Sequence, residues 1–255
     1  MKKIWGWMLA AWFWLVVFIM TILSYLVVVM TIPIDVLTGR SDGRRPHAVA
    51  GVWGRTIFRL MPMWKVRVTG QENLSVLESG RWVIVANHES MADIWVMYFL
   101  GVQFRWLSKA SVFKIPLVGH AMRRAGYVPI VRGQRNSHEI AMKESAKRLA
   151  QGIPMFFFPE GTRSATGELR PFKIGAFKLA RDNGARILPI ALHGAGDLLR
   201  KGSAVPCPAK ISVAVLEPID DNPAESLDAF AARVRSTIAE AHAKLKASDF
   251  EGPQG

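Results

Sequence analysis

Trp82-Val83-Ile84-Val85-Ala86 runs directly into Asn87-His88-Glu89-Ser90-Met91-Ala92-Asp93. Five consecutive apolar residues followed by a polar turn read as a strand buried on both faces, which needs a sheet covered by helices on each side. Working outward, residues 64–69, 81–86, 155–158, 187–192 and 211–216 read as strands by length and residue type. Residues 115–125, 137–151 and 175–183 read as helices, the second ended by Gly152 and Pro154. This alternation predicts an α/β fold, a mixed central β-sheet flanked by helices. A last helix is signalled by Asn222 as cap, Pro223 in its first turn and Glu225 completing a capping box. Leu227, Phe230, Val234, Ile238 and Leu245 then line one stripe for packing.

The chain of 255 residues holds one ordinary domain with a segment to spare at the N-terminus. From Ile4 to Ile34 no residue is charged. One helix of that length measures about 46 Å against a hydrocarbon core of about 30 Å, so it must tilt, project, or break, with Thr21, Ser24 and Tyr25 as break points. Lys2 and Lys3 precede it as in a signal peptide, but the run is twice the usual h-region and ends in Ile32-Pro33-Ile34-Asp35, so a retained hydrophobic membrane anchor is expected. Trp5, Trp7, Trp12 and Trp14 suit a lipid interface, with Arg40, Arg44 and Arg45 at the other end near lipid phosphates. The expected division is an anchor over 1–45, an α/β domain over 46–250 and a flexible tail over 251–255.

The formal charge of +13 is concentrated: residues 105–201 carry eighteen basic and six acidic side chains. Such a surplus favours anionic partners, among them nucleic acid, anionic lipid, a phosphorylated metabolite or an acidic carrier protein. Cys207 is the one cysteine, which rules out an internal disulfide and a cysteine-rich zinc site.

His88 and Asp93 are five apart, about 140° around a continuous helix, so they meet if His88 lies in the turn and Asp93 in the first helical turn. A carboxylate on one imidazole nitrogen fixes the tautomer and leaves the other ready to take a proton from a hydroxyl. His88-Glu89 begins like a zinc-protease helix, but Ala92 stands where the second histidine is needed, so no metal is expected there. No Gly-x-Ser-x-Gly elbow offers a serine nucleophile. Seventy residues on, Phe156-Phe157-Phe158-Pro159-Glu160-Gly161-Thr162-Arg163-Ser164 is an apolar strand ending in a glycine turn. Its amides and the Arg163 fork make a phosphate clamp, unless Glu160 and Arg163 pair with each other.

Together these blocks resemble the bacterial 1-acyl-sn-glycerol-3-phosphate acyltransferases (lysophosphatidic acid acyltransferases) of the glycerolipid acyltransferase superfamily. Asn87, His88 and Asp93 match Asn-His-x4-Asp, and Phe158 through Ser164 match Phe-Pro-Glu-Gly-Thr-Arg-Ser unchanged. Residues 169–176 and 187–190 also fit, so the likeness covers roughly 65–217. In the family's second block Gly126, Ile130 and Arg132 fit, whereas Pro129 and Val131 depart. The resemblance implies His88 as general base, Asp93 as its orienting partner, and Lys109, Arg132 and Arg163 on the acceptor phosphate, with Glu160, Gly161 and Thr162 shaping the pocket. It implies transfer from acyl-CoA or acyl carrier protein to lysophosphatidic acid, giving phosphatidic acid, with no cofactor and no nucleic acid partner. The implied location is the bacterial inner membrane, with the catalytic domain facing the cytoplasm. The motifs do not place the oxyanion donor; a backbone amide near Asn87 or Gly161 is the candidate to test. Rival readings are another lysophospholipid or lyso-aminolipid as acceptor, a membrane-anchored nucleic-acid-binding protein, and a non-catalytic lipid-binding scaffold.

Overall fold

The structure, a computed structural model, describes residues 2–40, 42–163, 168–199 and 203–248, with side chains from residue 6 onward. Ser164, the side chain of Trp5 and the tail over 251–255 lie outside the described residues. The strands are β1 (Trp64–Thr69), β2 (Trp82–Ala86), β3 (Arg105–Lys109), β4 (Val128–Ile130), β5 (Met155–Phe157), β6 (Arg186–His193) and β7 (Ala209–Val215). They form one sheet in the order β1-β7-β6-β2-β5-β3-β4. Every neighbouring pair is parallel except β6 with β7.

The helices are α1 (Lys2–Leu37), α2 (Arg44–Arg59), α3 (Asp93–Met97), α4 (Val118–Arg124), α5 (Arg135–Ala150), α6 (Gly175–Asp182), α7 (Ala195–Leu198) and α8 (Leu227–Ala247). Central β2 shows why its sequence is apolar without alternation. Ile84 and Ala86 enter the core built with Phe13 of α1, Ile57 of α2 and Trp95 of α3. Val83 and Val85 enter the opposite core with Phe177 of α6 and Phe230 of α8. Both faces are dry, and all five β2 residues are buried.

Helix α1 is unbroken. Thr21 Oγ1 donates to the Val17 carbonyl at 2.7 Å and accepts the Trp53 indole N–H at 3.2 Å, so the polar residue is satisfied without a break. Ala10, Phe13, Val16, Val28, Thr31 and Asp35 form a buried stripe at helical spacing. Phe13 meets Trp64 and Trp95 edge to face, and the Trp14 indole donates to the Ala204 carbonyl at 2.9 Å. The opposite face, including Trp7, Phe18, Leu23 and Met30, is exposed and apolar.

Several expectations shift. Arg45 and Arg124 both pair with Asp35, while Arg44 pairs with Asp42 at 3.1 Å. Two of the three arginines assigned to lipid phosphates therefore hold carboxylates within the chain. Helix α8 starts at Leu227, capped by Ser226, whose Oγ accepts the Ala229 amide at 3.1 Å. Asn222 closes its own turn on the Ala224 amide, and Glu225 pairs with Arg233 rather than completing a capping box.

Candidate active site

Strands β2, β5, β3 and β4 are adjacent and parallel, so their C-terminal ends open on one side of the sheet. A crevice outside the carboxyl ends of such strands is where α/β proteins place ligands. Here β2 delivers His88, β5 delivers Glu160 to Arg163, β3 ends at Lys109 and β4 leads to Arg132. His88, Lys109, Arg132, Gly161, Thr162 and Arg163 all line one cavity of about 770 Å3.

The dyad forms as its spacing requires. His88 follows β2 in an irregular turn and Asp93 begins α3. His88 Nδ1 lies 2.7 Å from Asp93 Oδ2, which also accepts the Glu89 and Ser90 amides at 2.8 and 3.0 Å. Two backbone amides already donate to this oxygen, so it acts as an acceptor toward the ring: Nδ1 donates, and in the neutral tautomer Nε2 carries the lone pair. Burial raises Asp93 above the usual carboxylate range, opposed by its bonds from His88 and Ser90. The ring stacks on Phe158 at 4.1 Å between centroids, 15° from parallel.

Glu160 does not pair with Arg163. Its Oε1 accepts the His88 amide at 2.8 Å and its Oε2 the Arg170 amide at 3.0 Å, so this buried carboxylate ties the two motifs together. Burial pushes Glu160 up, against the pull of those two amides. Asn87 braces the same turn: its amide group exchanges two 2.8 Å hydrogen bonds with the backbone of Leu192 in β6. The His88 amide is thus engaged, and the Gly161 amide donates to the Phe158 carbonyl at 3.0 Å. Neither is free to hold an oxyanion. At Gly161, φ is 71° and an added Cβ would lie 2.9 Å from Lys173 Nζ, so the turn admits glycine and little else.

Lys109, Arg132 and Arg163 are exposed at the cavity, and none forms an ion pair among the described residues. Lys173 lines the same cavity; it lies in a motif visible in the sequence but offered no spacing signal for a role. The far wall comes from α1 and α2, through Thr21, Tyr25, Val28, Ala50 and Trp53. Between them lies a polar chain that sequence reading missed. The Trp106 indole meets the Tyr98 hydroxyl at 3.2 Å, Tyr98 meets Tyr127 at 3.0 Å, and Tyr127 meets His47 Nδ1 at 2.9 Å. His47 Nε2 completes it, 3.2 Å from the Val102 carbonyl.

The arrangement is a cavity with an oriented base, unpaired cations and an apolar wall. Residues 65–193 match the family model described as Acyltransferase. A chloroplastic 1-acyl-sn-glycerol-3-phosphate acyltransferase of Arabidopsis thaliana is 34% identical over 220 residues, 85% of this chain and 60% of the relative. A 1-acyl-sn-glycerol-3-phosphate acyltransferase of Borreliella burgdorferi is 31% identical over 138 residues, 54% of each chain. The chain thus spans three fifths or less of the length of these curated relatives, which come from plants as well as bacteria. The crystal structure of the 1-acyl-sn-glycerophosphate acyltransferase of Thermotoga maritima superposes with a TM-score of 0.83 at 25% identity, covering 98% of this chain and 100% of that one. The chain belongs to the acyltransferase family.

Proposed function

We propose that this acyltransferase moves a fatty acyl group from an acyl thioester to the sn-2 hydroxyl of 1-acyl-sn-glycerol 3-phosphate, forming phosphatidic acid. The observation that carries the reading is the His88–Asp93 pair, with Nδ1 held at 2.7 Å and the ring in the wall of a cavity shared with Lys109, Arg132 and Arg163. His88 Nε2 takes the hydroxyl proton as the oxygen attacks the thioester carbonyl. The new C–O bond forms, the C–S bond breaks, and the departing thiolate recovers the proton from the imidazolium. Asp93 stabilises the imidazolium between these steps. The exposed cations hold the acceptor's phosphate, Arg163 by its planar fork. Acyl-CoA or acyl carrier protein supplies the thioester, and no cofactor enters the step.

The exposed apolar outer face of α1 supports a working position beside a lipid surface, the phase that holds such an acceptor. The reading carries with it a cytoplasmic-facing position on a bacterial inner membrane. Purified full-length protein, supplied with labelled lysophosphatidate and a panel of acyl thioesters, is expected to form phosphatidate, while His88→Ala forms almost none. A wild type that binds lysolipid but transfers nothing would leave a lipid-binding scaffold instead. Undiminished affinity for lysophosphatidate in Arg163→Ala would point to an acceptor without a phosphomonoester.

A further inference from the structure

Glu89 sits beside His88, yet its carboxyl group reaches away from the cavity to two segments more than a hundred residues distant. Oε1 lies 3.0 Å from His242 Nε2 in α8 and 3.5 Å from His193 Nδ1 at the end of β6. Oε2 accepts the Gly196 amide at 3.2 Å. The three ligand atoms lie within 4.8 Å of one another. The Glu89 and His242 side chains are 8% and 10% exposed, while His193, at 33%, leaves a route to solvent.

Hydrogen bonding among these residues leaves one of them unexplained. His193 Nδ1 is buried and has no hydrogen-bond partner, its 3.5 Å approach to Glu89 lacking suitable geometry. A buried ring nitrogen without a partner is costly. We propose that Glu89, His193 and His242 bind a divalent transition cation, zinc fitting best, which fastens the turn carrying His88 to β6 and α8. Two imidazoles and one carboxylate are a common zinc set, with a fourth position left for water. Bond lengths of about 2.0–2.2 Å in a tetrahedron put ligand atoms about 3.3–3.6 Å apart, close to the measured 3.0 and 3.5 Å. A cation bound to the deprotonated His193 Nδ1 would give that buried nitrogen the partner that hydrogen bonding does not supply. The Gly196 amide on Oε2 would hold the carboxylate in place, as outer hydrogen bonds do around metal ligands.

Zinc chloride titrated calorimetrically into full-length, tag-free, EDTA-treated protein in detergent tests this without any acyl transfer. One cation per chain is expected, and Co2+ in its place should give the visible bands of a tetrahedral nitrogen–oxygen site. His193→Ala and His242→Phe should each weaken zinc by about two orders of magnitude. Cys207→Ser should leave affinity unchanged. Glu89→Gln keeps the side chain's shape and should lose zinc as well, which covers the case of a histidine variant that fails to fold. Absence of stoichiometric binding at micromolar zinc, or wild-type affinity in Glu89→Gln, overturns the site.

Discussion

His88 and His47 are the same residue in two walls of one cavity's surroundings, and their partners make them different groups. His88 faces a carboxylate through Nδ1, and its ring lines the cavity. His47 is 2% exposed and sits among neutral partners, the Tyr127 hydroxyl and the Val102 carbonyl. Burial, and then the charge of Arg105, depress His47 to about 3, against the pull of Val102. It therefore stays neutral, accepting from Tyr127 at Nδ1 and donating from Nε2. In the proposed function one imidazole exchanges a proton, while the other stays neutral. The carboxylate makes the distinction, since both rings are largely enclosed.

The largest effect should come from breaking the first partnership. His88→Ala is expected to lower kcat about 10^2–10^4-fold with secondary structure retained, by steady-state kinetics and circular dichroism. Asp93→Asn should fall in the same range, because a neutral amide does not stabilise the imidazolium as the carboxylate does. A fully active Asp93→Asn would dissolve the contrast with His47. Next, Arg163→Ala should raise apparent KM for lysophosphatidate about tenfold or more, with a smaller change in kcat, as losing a charge-assisted bond of about 1.5–3 kcal/mol implies.

The second imidazole should matter to stability alone. His47→Phe leaves the Tyr127 hydroxyl without its acceptor and is expected to cost about 1–3 kcal/mol in urea unfolding, with kcat within about threefold of wild type. The smallest effect sharpens the comparison by pH. His47 binds its proton less readily folded, at about 3, than unfolded, at 6.5. Its contribution is complete above pH 6.5 and declines as pH falls toward 3. By pH 5.5 the wild type should lose about 1.4 kcal/mol from this group. His47→Phe should lack that increment, and equal acid sensitivity in both proteins would show that His47 is not held neutral.

What could be read from residues alone follows from range. The β2 strand, the dyad and the turn at Gly161 are local, each coded within a dozen positions. Strands β3 and β4 were invisible because β3 begins with Arg105 and β4 has three residues around Pro129. Arg105 is fully buried yet donates to the Asp42, Phe104 and Gln103 oxygens, and Pro129 is tolerated because β4 is the sheet's edge. Ser226 displaced Asn222 as the helix cap because both offer an oxygen and only backbone geometry chooses. Glu89, His193 and His242 come from three distant segments, so no spacing pattern could unite them.

Helix α1 supplies Thr21, Tyr25 and Val28 to the cavity wall and Phe13 to the core. The seam at residue 45 therefore separates compositions rather than working parts. Someone trimming the hydrophobic leader to obtain a water-soluble protein would be removing a side of the cavity and opening it to water, and should expect a folded but leaky remnant at best.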